Sequence, residues 1–246
     1  MIWKKNPLSK SFYIVAGIIF IVLMLAVVTG GFVFSRFKER KPLRTSSSEA
    51  WVELPSPSFD SPTSLEEALS KRRSVREYQD APLTLNEVAQ MLWAAQGITS
   101  LEGLRTAPSA GALYPLEVYL LVGNVDGLAA GVYHYHPQEH ALSKVFEGDR
   151  RVALSEAALG QEAIQNGSVV IVIAAVFERT TRKYGERGVQ YVHMEVGSVA
   201  QNIYLQAESL GLGTVFIGAF YDDQVKSVVG LSPKEQPLCL MPVGRK

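Results

Sequence analysis

The longest regular pattern in the chain lies late in it. Val189, Val192, Val196, Val199, Ile203 and Leu210 recur at spacings of three, four or seven residues, which marks one apolar stripe along a long helix. Gln206 interrupts the stripe, and Gly211 and Gly213 end it. Such a seam wants a partner, either the domain's own sheet or a second subunit. Two capping boxes open shorter helices upstream. Ser64-Leu65-Glu66-Glu67 starts one that runs towards Arg72; Thr84-Leu85-Asn86-Glu87 starts another with Leu85, Val88, Met91, Leu92 and Ala95 on one face, stopping at Gly97. Strands are predicted at residues 117–122, at a hairpin pair 131–136 and 141–145 around Pro137, and at 214–217 and 238–243. Residues 169–176 are apolar throughout, as a central strand buried on both faces would be. Helices and strands mix without a regular βαβ rhythm, so the fold class is α+β and not doubly wound.

A different pattern occupies the N-terminus. No residue from Phe12 to Phe34 is charged, and a helix of that length rises roughly 34 Å at ~1.5 Å per residue, enough to cross a membrane. A cleaved signal peptide would share the basic start at Lys4, Lys5 and Lys10, but the apolar run exceeds a signal's usual about 7–15 residues and no A-x-A-like site follows. The reading is a retained single-pass anchor at residues 12–34 behind a short basic flank, 1–11. Arg36, Lys38, Arg40, Lys41 and Arg44 follow it, so the positive-inside rule puts the large domain on the cytoplasmic side. Residues 35–63 hold Pro42, Pro55, Pro57, Pro62 and a Ser46-Ser47-Ser48 run and read as an extended linker, leaving 64–246 as the domain.

Composition removes several function classes. Basic and acidic side chains balance at 24 each, which leaves no surplus to neutralise nucleic-acid phosphates. Cys239 is the lone cysteine, so there is neither an intramolecular disulfide nor a Cys-rich metal site. His134, His136 and His140 lie close in sequence but lack an acidic ligand at convincing spacing, and no metal is expected. His193-Met194-Glu195 echoes a deaminase H-x-E without the P-C-x-x-C that chemistry requires.

Three segments carry candidate chemistry. Arg72-Arg73-Ser74-Val75-Arg76 follows the first helix; in an extended chain Arg72, Ser74 and Arg76 share one side, a set of donors suited to a phosphate monoester. A solvated basic patch at a helix C-terminus would look the same. Pro108-Ser109-Ala110-Gly111-Ala112-Leu113-Tyr114-Pro115 is small enough for backbone groups to approach a flat ligand, and it lacks the G-x-S-x-G of a hydrolase elbow. Gly211-Leu212-Gly213 closes a helix and opens a strand, the reverse of a Rossmann loop, while Ile217-Gly218-Ala219 leaves a strand end open to a ring system.

Taken in order, RRSVREY, APSAGALYPLEVYLL, GVYHYHPQEHAL, RKYGERGVQYVHMEVGSVAQNIYLQAESLGLGTVFIGAF and MPVGR resemble the nitroreductase superfamily over roughly residues 65–245, and within it the azoline oxidases that mature ribosomal peptides. The resemblance implies a central mixed or antiparallel sheet flanked by helices and non-covalent FMN, often at a homodimer interface. It implies that Arg72, Arg73, Ser74 and Arg76 hold the phosphate, ribityl chain or polar ring edge, with Arg245 as a second phosphate contact. Ser109, Ala110, Gly111 and Ala112 would line one side of the isoalloxazine, and Phe216, Ile217, Gly218 and Ala219 the other. Lys183-Tyr184 matches a pair that the azoline oxidase branch is thought to use in catalysis; the bland alternative is a charged helix end beside Arg179, Arg182, Glu186 and Arg187. The broader family often has P-S-x-N-x-Q-P-W where this chain has Ala112, Tyr114 and Leu116, and a membrane helix is unusual for it. The expected activity is a membrane-anchored FMN dehydrogenase or oxidase acting on a small organic or peptidic substrate. The alternatives are an NAD(P)H-dependent nitro or quinone reductase, or a non-catalytic scaffold on a flavin fold.

Overall fold

The computed structural model describes residues 51–246. The anchor expected at 12–34 and most of the linker lie outside the described residues. Among those described, no helix is long and apolar enough to cross a membrane.

Among the described residues, seven antiparallel strands form one sheet. In chain order they are β1 (Trp51–Glu53), β3 (Leu116–Val122), β5 (Gly131–His136), β6 (Ala141–Glu147), β7 (Val169–Ala175), β8 (Leu212–Thr214) and β9 (Gln236–Arg245), arranged β1-β6-β5-β3-β7-β9-β8. A parallel pair, β2 (Leu83–Thr84) with β4 (Val125–Asp126), lies apart from it. The helices are α1 (Leu65–Lys71), α2 (Leu85–Gln96), α3 (Arg151–Ala157), α4 (Glu162–Asn166), α5 (Glu178–Tyr184), α6 (Arg187–Ser209) and α7 (Asp222–Val229).

β7 explains the layering. Its side chains alternate, so Val169, Ile171 and Ile173 enter one apolar cluster with α2 and α6, while Val170 and Val172 enter another with α3, α4 and α7. Every residue of β7 is buried, as its unbroken apolar run predicts. The long stripe on α6 resolves the same way. Val192, Val196, Val199 and Ile203 are buried in the chain's own sheet-facing cluster, so that seam is satisfied without a second subunit.

Both capping boxes open helices where the sequence places them. Ser64 Oγ accepts the Glu67 N–H at 3.1 Å, and Thr84 and Glu87 cap each other reciprocally. Gly97 ends α2 for a different reason than a left-handed turn: its φ is −63°, and a Cβ there would lie 2.1 Å from Trp93 Cδ1.

Two boundaries move. Residues 51–53, read as linker, pair with β6 in the register Trp51↔Ser143 to Glu53↔Ala141, so the sheet begins before residue 64. The strand expected at 214–217 lies earlier, at Leu212–Thr214; beyond it only Ile217 pairs, with Leu240.

Candidate functional site

Two groups of candidate residues form on different sides of α6. The first begins where α1 ends at Lys71 and the chain turns extended at Arg72 (φ −49°, ψ 125°). It then runs beside β8, where the Val75 N–H donates to the Thr214 carbonyl at 2.9 Å. Gly213 permits this approach, since a Cβ there would sit 2.6 Å from Val75 Cγ1. Ser74 Oγ lies 3.0 Å from Tyr204 Oη, and the Arg72 guanidinium stands over the Tyr204 ring, 5.0 Å from its centroid. The same hydroxyl accepts the Phe216 N–H at 2.8 Å. One phenol therefore joins the Arg72–Ser74 segment to the loop after β8.

Not every residue expected there arrives. Phe216, Gly218 and Ala219 are exposed, but Ile217 is 4% exposed and faces the core, its N–H and C=O both bonded to Leu240 at 2.9 Å. Arg73 turns back on α1, where its Nη1 donates to the carbonyls of Ser70 and Arg72 and caps the helix end. Arg76 is exposed to solvent. Arg245 goes elsewhere: its two Nη atoms each donate to Glu87 at 2.9 Å and its Nε to the Pro82 carbonyl at 3.3 Å. β9 delivers that side chain to the start of α2, and a bidentate carboxylate holds it there.

The second group is built on the turn Ala110–Ala112. Gly111, Ala112 and Tyr114 all have positive φ, at 64°, 53° and 45°. Ser109 Oγ accepts the Tyr114 N–H at 2.9 Å and so closes the turn. A Cβ on Gly111 would lie 2.7 Å from Tyr184 Oη and 2.9 Å from Lys183 Nζ, so glycine lets the Lys-Tyr pair reach the loop. Lys183 Nζ sits 5.3 Å above the Tyr184 ring, and Tyr191 meets that ring edge-on at 5.2 Å. Lys183 is exposed and Tyr184 half-buried.

Several residues to which the sequence gives no such role surround this loop. Glu195, one helical turn beyond Tyr191, is 4% exposed. Burial pushes its carboxyl above the usual range, against the pull of the Ser109 and Gln96 side chains and the Arg105 charge. Arg105 Nη1 donates to Gln96 Oε1 at 2.9 Å, and its guanidinium lies 4.4 Å from the Tyr114 ring centroid. Arg179 donates to the Tyr114 carbonyl at 3.0 Å and pairs with Glu117, which His134 Nε2 also meets at 2.9 Å. Burial pushes the Glu117 carboxyl up, but His134 and Arg179 outweigh it and hold it below the ordinary value. His136 meets Ser143 Oγ at 2.8 Å, and His140 the Pro55 carbonyl at 2.9 Å. A signal for Glu195 existed: it falls three residues after Val192 and four before Val199, on the buried side of the helix.

Helix geometry separates the two groups. Tyr204 lies thirteen positions beyond Tyr191, about 20 Å along the axis and, at roughly 100° per residue, on a different side of α6. Asn202 shares the side of Tyr191 and Glu195 and donates to the Thr106 carbonyl at 3.3 Å, so the 105–114 loop runs along that side. Within one chain, Ser109–Ala112 and Phe216–Ala219 thus do not face each other across a single ring. A cleft of about 520 Å³, lined by Phe59, Leu65, Trp93, Leu205 and Gln206, coincides with neither group.

Comparison with known proteins identifies the family. Residues 69–245 match the model of the Nitroreductase family. The chain is 54% identical over 182 residues to a protein of Methanocaldococcus jannaschii that carries the name nitroreductase, covering 74% of this chain and 91% of that one. It is 33% identical over 135 residues to the microcin B17-processing protein McbC of Escherichia coli, covering 53% of this chain and half of that protein's length. Among solved structures, the E. coli microcin synthetase McbBCD complex with truncated pro-MccB17 bound has a chain that matches with a TM-score of 0.62 at 25% identity, over 85% of this chain and 79% of that one. From the RRS segment to the final strand, this chain belongs to the nitroreductase family of oxidoreductases.

Proposed function

We propose that the protein is a membrane-anchored, FMN-dependent dehydrogenase or oxidase of the azoline oxidase type, acting as a homodimer on a small organic or peptidic substrate. The observation that carries this reading is the meeting of Lys183 and Tyr184 with the Gly111 loop, since a lysine-tyrosine pair at a mere charged helix end has no reason to converge on a left-handed glycine. Similarity to a microcin-processing protein supports a peptidic substrate.

The residues present fit the cofactor. Arg72 and the Ser74 hydroxyl offer a charged and a neutral donor to a phosphate monoester. Exposed Phe216, Gly218 and Ala219 leave room for a flat ring against backbone. Bound FMN would supply two-electron chemistry, taking hydride from the substrate and passing electrons to oxygen or a quinone-like acceptor. The chain's own part is to take the accompanying proton, on the free amine of Lys183 or the phenolate of Tyr184, and to keep water from the reacting bond. Lys183 is exposed in the single chain, so its cover comes from the partner, the cofactor or the substrate. A two-fold dimer packed on the outward strip of α6, where Met194 is 60% exposed and Gly197 faces open space, would bring one chain's Gly111 loop to the other's Arg72–Tyr204 group. The uncharged run from Phe12 to Phe34 anchors the chain, with the domain on the cytoplasmic side.

Anaerobic mixing of the flavin-loaded protein with an azoline-containing peptide tests this. Bleaching of the flavin by the peptide, lost in Lys183→Ala and Tyr184→Phe variants that still hold flavin, is the expected result. Efficient bleaching by NADPH alone, with none by the peptide, would assign the protein to the nitro and quinone reductases instead.

A further inference from the structure

Hydrogen-bond polarity around Tyr204 can be worked out from the partners it has. An amide N–H only donates, so Tyr204 Oη is the acceptor in its 2.8 Å contact with Phe216. Either oxygen can donate in the 3.0 Å contact between Tyr204 and Ser74, and Ser74 Oγ is the acceptor within reach of the phenol's own proton, which is the arrangement we adopt. A serine oxygen that accepts in this way still has its own O–H, and Ser74 is exposed, so that proton is available to a third group. The Tyr204 ring meanwhile carries the Arg72 guanidinium at 5.0 Å. One half-buried side chain therefore fixes both donors and ties them to the backbone of the loop that holds Phe216.

We infer that Tyr204 is a positioning residue for the phosphate of bound flavin mononucleotide: it takes the Phe216 amide proton, gives its own to Ser74, and so turns the Ser74 hydroxyl outward as a donor beside Arg72. The inference rests on the flavin reading above and goes further, because it names what gives the cradle its preference for a phosphorylated flavin. Tyr204 itself does not touch the phosphate.

The test compares FMN with riboflavin, which lacks the phosphate, by quenching of flavin fluorescence on the full-length chain. The wild-type protein binds FMN more tightly than riboflavin. Tyr204→Phe lowers that preference, the ratio of the two affinities, about tenfold, the scale of one hydrogen bond to a charged group. Ser74→Ala lowers it equally, and the double variant loses no more than either single one, because Tyr204 acts through Ser74. A Tyr204→Phe protein that keeps the wild-type preference overturns the inference, and so do two losses that simply multiply. If Tyr204→Phe does not fold, Ser74→Thr, which retains a hydroxyl, must keep the preference that Ser74→Ala loses; the reverse overturns it. A wild-type protein that binds both flavins equally sinks this inference alone, whereas one that binds neither sinks the flavin reading with it.

Discussion

At the scale of single residues, two carboxylates near the loop, one half-buried and one buried, should respond to pH in opposite directions. Glu117 is held below its ordinary pKa by His134 and Arg179, which outweigh the burial that would raise it. Its contribution to stability is therefore complete above the unfolded-state value of about 4.3 and is lost as pH falls through the lowered folded value. Glu195 is raised by burial, so it costs stability as pH rises from about 4.3 through its raised folded value. Urea unfolding across this range should show Glu117→Gln erasing part of the acid-side loss. Glu195→Gln should instead gain on the wild type as pH rises; a gap between Glu195→Gln and wild type that does not change with pH would contradict the assignment. Gly111→Ala is expected to cost about 1–3 kcal/mol, from positive φ at a non-glycine residue together with the clash on Tyr184 and Lys183. Its thermal midpoint checks this, and an unchanged midpoint would mean that the Lys-Tyr pair does not press on the loop. At this scale the sequence was legible where a local rule sufficed. Alternation in an extended chain put Arg72 and Ser74 on one side, and both do meet Tyr204. The intrachain contacts of Arg73, Arg245 and Ile217, with the end of α1, Glu87 and Leu240, were not legible because they depend on helix ends and sheet register that spacing does not encode.

Elements were readable in proportion to their periodicity. β7 and α6 stood out because burial imposes a long, regular apolar pattern, and α2 because its capping box is complete. The short helices α3, α4, α5 and α7 went unread, as five to eight residues give too few turns for a stripe to emerge. β1 was hidden in Pro- and Ser-rich surroundings, since three residues pairing at a sheet edge need no pattern of their own. α6 ties the element scale to function, because its buried stripe fixes the rotation that separates Tyr191 and Glu195 from Tyr204. Ile203, with no exposed surface, belongs to that stripe. Ile203→Ala should cost about 2–5 kcal/mol in urea unfolding. A cost under about 1 kcal/mol would mean that α6 is held by something other than this packing.

At the scale of the whole molecule, the main finding is the separation of two sets of residues that the proposed flavin site brings together. Each is well formed, yet α6 keeps them apart within a chain. The sequence reading placed them on two faces of one ring, which required knowing the rotation of a helix it could only outline. The two-fold assembly proposed on the outward strip of α6 would restore the pairing, and it would also cover Lys183. The most direct test of this account is the visible spectrum of the purified full-length chain before and after heat denaturation, taken with its mass by light scattering. The account predicts a yellow dimer that releases one FMN per chain. A folded, colourless protein that refuses added FMN would contradict it outright, and a yellow monomer would keep the flavin but remove the shared site.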